Sequence, residues 1–107
     1  MILRNDEAKK IDLGGGVERK VLAHEEELMC VEVSFTAGAV GASHTHPHVQ
    51  ATYVESGKFE VTVGDETKVL EKGDSFSVPK NVPHGVVCLE NGKLIDFFTP
   101  MRKDFLP

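Results

Sequence analysis

The chain has 107 residues, 17 acidic against 12 basic side chains, a formal net charge of −5 and 40% apolar residues. That fits one domain, residues 1–107, with its own hydrophobic core and no room for a second. The acidic balance, with no Lys/Arg-rich segment, excludes a nucleic-acid binder that tracks phosphates. No apolar run approaches the roughly 20 residues that cross a bilayer, so no membrane span is expected. The start, Met1-Ile2-Leu3-Arg4-Asn5-Asp6, lacks a signal-peptide apolar core, and the cytoplasm is the expected address. Cys30 and Cys88 lie in apolar runs and read as reduced core thiols rather than a disulfide.

In chain order, a few N-terminal residues are expected to serve as an arm, and Gly14-Gly15-Gly16 makes a turn. Ala23 to Met29 is the best helical candidate, though it is short. From Cys30 to Phe35 the residues alternate, with Val31, Val33 and Phe35 on one face and Glu32 and Ser34 on the other. Phe59, Val61 and Val63 repeat the pattern, and Glu55-Ser56-Gly57-Lys58 before them predicts a hairpin turn. Gly64-Asp65 predicts the next turn, and Lys72-Gly73-Asp74 another before a strand over Ser75 to Val78. Pro79 to Pro83 reads as a rigid loop ahead of a strand over Gly85 to Leu89. Asn91-Gly92 has the composition of a type I′ turn, and Lys93 to Thr99 supplies a last strand that Pro100 ends. Many short strands at regular spacing predict an all-β sandwich or barrel.

Three of the five histidines fall in Ser43-His44-Thr45-His46-Pro47-His48-Val49-Gln50. Residues two apart on a strand share a face at ~6.6–6.8 Å, so the His44 and His46 imidazoles can converge on one ion. His44 and His48 would be ~13 Å apart in an extended chain, too far to share it. Pro47 is expected to break the strand, letting Gln50 return to the same ion from the next one. His84, between Pro83 and Gly85, could close the site from across the barrel. His48 then serves as a supporting or substrate-side group, and His24, among Glu25, Glu26 and Glu27, is a surface residue. Solvent-facing loop histidines are the competing reading.

These residues resemble the cupin superfamily of small metal-binding β-barrels. Gly38, His44, His46, Gln50 and Gly57 fall at the spacings of its first motif, with Gln50 in the place of a Glu. Gly73, Pro79 and His84 fit the second, where Asn81 stands for a Gly and Cys88 for an Asn. The likeness runs over about 31–100 and implies an all-β jelly-roll barrel of short antiparallel strands. An amide at Gln50 leaves the full charge of a divalent ion in place, which favours anionic or carbonyl ligands over oxidative chemistry. Histidine and amide oxygen do not select among Ni, Zn, Fe, Mn and Co.

Towards the C-terminus, Asp96 sits among apolar neighbours, on the same face as Leu94 and Phe98. If that face is the lumen, Asp96 is a desolvated acid or base with a raised pKa; if it is the outer face, Asp96 is merely solvated. Arg102, past the strand, could hold a carboxylate with its fork or lie on the surface. Together with the histidine segment and the loop ending at His84, the Asp96, Phe98, Arg102 spacing is similar to that of the KdgF family, the cupins of pectin degradation. That resemblance implies conversion of 4,5-unsaturated monouronates, from pectin or alginate breakdown, into linear keto sugars by ring opening and tautomerisation. His44, His46, Gln50 and His84 would hold one divalent metal ion. Asp96 and Arg102 would be catalytic, and Phe98 and His48 would contact the small anionic sugar. A homodimer is implied as well. Two other readings are a cupin dioxygenase and a non-catalytic metal- or sugar-binding cupin.

Overall fold

A computed structural model describes residues 1–107. Eight strands and two single 3-10 turns account for the regular structure: β1 (Lys10–Gly14), β2 (Val17–Glu25), β3 (Leu28–Phe35), β4 (Val40–His44), β5 (Val49–Val63), β6 (Glu66–Glu71), β7 (Ser75–Val78) and β8 (His84–Thr99). All pairings are antiparallel, in the order β1-β2-β3-β8-β5-β6, with β4 also on β8 and β7 also on β5. No helix is long and apolar enough to cross a membrane.

Three expectations need correction. Ala23 to Met29 is not helical: it is the end of β2, a tip at Glu26-Glu27 and the start of β3, with Glu25 opposite Leu28. So short a segment gains little from helical hydrogen bonds alone, whereas the hairpin pairs His24 with Met29 and Glu25 with Leu28 beyond a bulge at Leu22-Ala23. The other two corrections share one cause. Glu55-Ser56-Gly57-Lys58 lies inside β5, 15 residues long, and Asn91-Gly92 lies inside β8, 16 residues long. The two segments face each other where the β5–β8 register shifts between Val54 and Phe59. Each strand bends there without ending. Turn and bulge draw on the same residues, because both need a backbone that tolerates positive φ and carries little bulk.

The bend divides the ladder. On one side, the last residues of β8 lie between β3 and the first half of β5. On the other, the first residues of β8 lie between β4 and the second half of β5. The two sheets face each other over Phe35, Ala39, Val54, Phe59, Val61, Cys88 and Leu94, and Phe35 meets Phe59 edge-on at 5.3 Å. A smaller cluster, Met29, Val31 and Phe98, is closed by Met101, Phe105 and Leu106 from the C-terminal segment. Cys30 and Cys88 are both free thiols; only Cys88 is buried in the core, and Cys30 is half-buried.

Gly57 has φ +81, and a Cβ there would lie 2.5 Å from the Asn91 carbonyl oxygen and 2.6 Å from Gly92 Cα. Gly38 has a similar φ of +89 but open space around it. Alanine carries the same backbone strain at both, so Gly57→Ala should cost about 1–3 kcal/mol more than Gly38→Ala, a further ~5–20 °C in Tm. Thermal unfolding by circular dichroism reads the difference. Equal losses would show that the close approach of β5 and β8 does not matter.

Candidate metal centre and pocket

His44 ends β4 and is paired across the ladder with His84, the first residue of β8. Their rings are therefore neighbours, with centroids 4.4 Å apart. His84 comes from the adjacent strand, not from across the barrel as the sequence suggested. His46 lies past the end of β4, in the link through Pro47 to β5, and its ring is 5.5 Å from His44 and 4.7 Å from His84. Asn81 holds that link in place. Its left-handed backbone, φ 62, points its N–H at the His46 carbonyl oxygen, 2.8 Å away.

The protonation of the rings follows from their neighbours. Nδ1 of His44 donates to the Ala42 carbonyl at 2.9 Å, that of His46 to His48 at 3.0 Å, and that of His84 to Val82 at 2.9 Å. A carbonyl only accepts, so each neutral ring keeps its proton on Nδ1 and turns an Nε2 lone pair inward. One ring nitrogen from each histidine falls within 4.8 Å of the other two. His84 Nε2 is buried without a hydrogen-bond partner. His46 Nε2 lies 2.9 Å from Gln50 Oε1, and in this tautomer both are acceptors. The Gln50 amide cannot relieve this by turning over, because its NH2 group donates to Thr52 Oγ1 at 2.9 Å and to Asp96 Oδ1 at 3.3 Å. Lone pairs aimed at one another and an orphaned buried nitrogen are what a divalent cation would satisfy. His44, His46 and His84 could hold such an ion. Burial also pushes the His84 pKa down, and the neighbouring His44 and His46 act in the same direction, which favours the neutral ring that binds metal.

Asp96 is on the inner face. β5 and β8 pair Gln50 with Phe98, Thr52 with Asp96 and Val54 with Leu94, and β3 extends the rows with Met29, Val31 and Val33. All except Asp96 and Val33, which are half-buried, are buried. Thr52 donates to Asp96 Oδ1 at 2.6 Å while accepting from Gln50. Both bonds to the carboxyl therefore fall on Oδ1, and Oδ2 has no protein partner. Burial pushes the Asp96 pKa up to about 6, against the opposing pull of Thr52, Arg102 and Gln50.

These groups line a cavity of about 360 Å³ that includes His44, Gln50, His84, Asp96, Phe98 and Arg102. That volume is in the range of a small-molecule site. Arg102 lies over the rings of Phe98 and Phe105, at 5.1 and 4.2 Å, and its Nε and Nη2 donate to Asp104 at 3.1 and 2.9 Å. The fork expected to grip a substrate is thus engaged by the protein's own carboxylate. His48 supports His46 through its carbonyl, and its ring stands 6.3 Å from Phe98, outside the histidine triad. His24 on β2 donates to or accepts from no residue of this group. Sequence reasoning missed Thr52, Arg19 and Phe105. Thr52 was detectable, since it follows Gln50 by two residues and so shares its face of the strand.

A family model described as "Cupin domain" matches residues 31–98. The pectin degradation protein KdgF of Dickeya dadantii is 45% identical over 104 residues, 95% of this chain and 94% of that protein. The structure of KdgF from Halomonas sp. superposes with a TM-score of 0.94 at 42% identity, covering 99% of this chain and 100% of that one. An RmlC-like cupin from Shewanella frigidimarina gives 0.94 at 45% identity, over 98% and 95% of the two chains. With a matching domain, a matching jelly-roll fold and relatives of this closeness, the chain belongs to the cupin family, in the company of KdgF.

Proposed function

We propose that this cupin is a metal-dependent enzyme that opens 4,5-unsaturated monouronates to linear keto sugars. The observation that carries the reading is Asp96: a half-buried carboxyl on the inner face, anchored through one oxygen, with the other free, beside three convergent histidines. The likeness to a protein named for pectin degradation supports the substrate class.

The substrate is a cyclic hemiacetal whose ring oxygen is part of an enol ether conjugated with the carboxylate. Ring opening removes the proton of the C1 hydroxyl, forms the C1 carbonyl and breaks the bond from C1 to the ring oxygen. The electron pair leaves on that oxygen as an enolate, which becomes a ketone when a proton adds at C4. One proton leaves and one arrives, so the reaction is an isomerisation and needs no oxidant. Asp96, through Oδ2, takes the first proton and returns it at C4. Thr52 and Gln50 fix the carboxyl plane, so the proton is exchanged at a defined position. Phe98 supplies the apolar wall, and Arg102, paired with Asp104 over the Phe98 ring, borders the seat of the substrate carboxylate. His44, His46 and His84, with the Gln50 amide oxygen, would hold the divalent ion, and His48 would steady His46. When bound, the ion supplies Lewis-acid polarisation of the sugar oxygens. A site that only bound sugar or metal would have no use for a desolvated acid with a free oxygen.

Incubation with lyase-generated unsaturated galacturonate or guluronate, with divalent metal supplied, should remove the ultraviolet absorbance of the conjugated double bond. Decay no faster than in buffer overturns the reading. Asp96→Asn should lower kcat by about 10²–10⁴ while the bound metal, measured by elemental analysis, is unchanged. Chelation followed by dialysis should lower Tm, by about 3 kcal/mol of stability if the metal had been present at a hundred times its Kd, and readdition should restore it. His84→Ala should show no such response.

The homodimer is part of the same proposal. Tyr53 and Phe97 project from the outer face of the sheet, 45% and 39% exposed, with Val49 and Leu28 close by in the ladder. Sedimentation should give a dimer for the native chain and a monomer for Phe97→Glu. A native monomer would leave that face without the role assigned to it.

A further inference from the structure

The most unusual polar group outside the assigned set is Arg19. On β2 it lies in register with Val33 of β3, between Val17 opposite Phe35 and Val21 opposite Val31. That parity puts it on the inner face, in the row that continues through Leu94 to Val54, adjacent to the row of Asp96 and Thr52. Its guanidinium carbon stands 3.9 Å from the centre of the Phe105 ring, on which Arg102 also rests. Stacking of this kind occupies the face of the guanidinium and leaves its in-plane N–H groups free.

The two arginines differ in one respect. Arg102 uses its Nε and Nη2 on Asp104. Arg19 forms no ion pair or hydrogen bond with the protein, and its Nε is buried without a partner. Both line the same cavity as His44, His84 and Asp96. Two guanidiniums against the single Asp104 carboxylate leave positive charge on this wall. An unpaired buried donor is costly, and an entering anion would relieve it.

On the reading that this pocket takes an unsaturated uronate, we propose that Arg19 is its anion-recognition residue, receiving the sugar carboxylate while the Phe105 ring holds the guanidinium in place. The β1–β2 hairpin then belongs to the active site. A bidentate grip falls to Arg19 because the fork of Arg102 is already engaged.

Two measurements test this on the full-length, divalent-loaded protein. In steady-state turnover of unsaturated galacturonate, Arg19→Met should raise KM about tenfold or more with kcat changed less than about threefold, and Arg19→Lys should recover part of the loss. A residue that merely packs would not give that split, and an unchanged KM overturns the proposal. In calorimetric titration with the stable probes galacturonate and galactose, the native chain should prefer the acid. Arg19→Met should lose about tenfold of that preference. If the native chain turns over no uronate, the enzymatic reading falls and the titration alone decides. A preference reduced in the variant sustains an anion seat at Arg19; one that is unchanged, or absent from the native chain, overturns it. Should Arg19→Met fail to fold, Arg19→Gln is read in the same way.

Discussion

The pairing of β5 with β8 is the constraint on which the rest of the molecule depends. The two strands stay hydrogen-bonded from Val49–Thr99 at one end to Val63–His84 at the other, across a bend that turns one ladder into two facing sheets. Half of the pocket follows from that register. Gln50, Thr52 and Asp96 share the inner face because they occupy alternate positions on adjacent strands, and His84 is placed by the far end of the same ladder. A slip of one residue would turn each of those side chains to the outer face. The bend requires two backbones to touch, which is why glycine stands at both 57 and 92.

The ladder positions the groups, and local hydrogen bonds set their chemistry. Three backbone carbonyls hold three imidazoles in the same tautomer, and Thr52 orients both the Gln50 amide and the Asp96 carboxyl. Protonation state at one end of this network is thereby linked to donor geometry at the other. Such coupling is effective where water is scarce, since each group has few alternative partners.

The charge pattern separates shell from interior. The chain carries a net charge of −5, yet its cavity is lined by two histidines, an amide and two arginines, with Asp96 as its one carboxyl. The acidic side chains set the sign of the outer surface, while two guanidiniums stand in the pocket. Net charge describes a surface, and at short range inside a low-dielectric cavity the nearest groups dominate.

The amino-acid sequence by itself determined the strand-rich class, most turns, the break at Pro47 and the group His44, His46, Gln50 and His84, because period-two alternation, proline and motif spacing are local signals. It misplaced Glu55–Lys58 and Asn91-Gly92, since glycine in a bulge and glycine in a turn look alike until the partner strand is known. It left Asp96 undecided between two faces, because alternation records parity and not which side is the lumen. It missed Thr52 and Arg19 for a related reason: a hydroxyl or a guanidinium becomes notable only when the strands beside it remove its water. The tertiary structure decided the inward face of Asp96, the engagement of Arg102 by Asp104 and the unpaired state of Arg19. The first and last depend on contacts between residues far apart in the chain; the Arg102–Asp104 pair spans only two residues, but it needs the backbone of the 3-10 turn after β8, which no period-two pattern records.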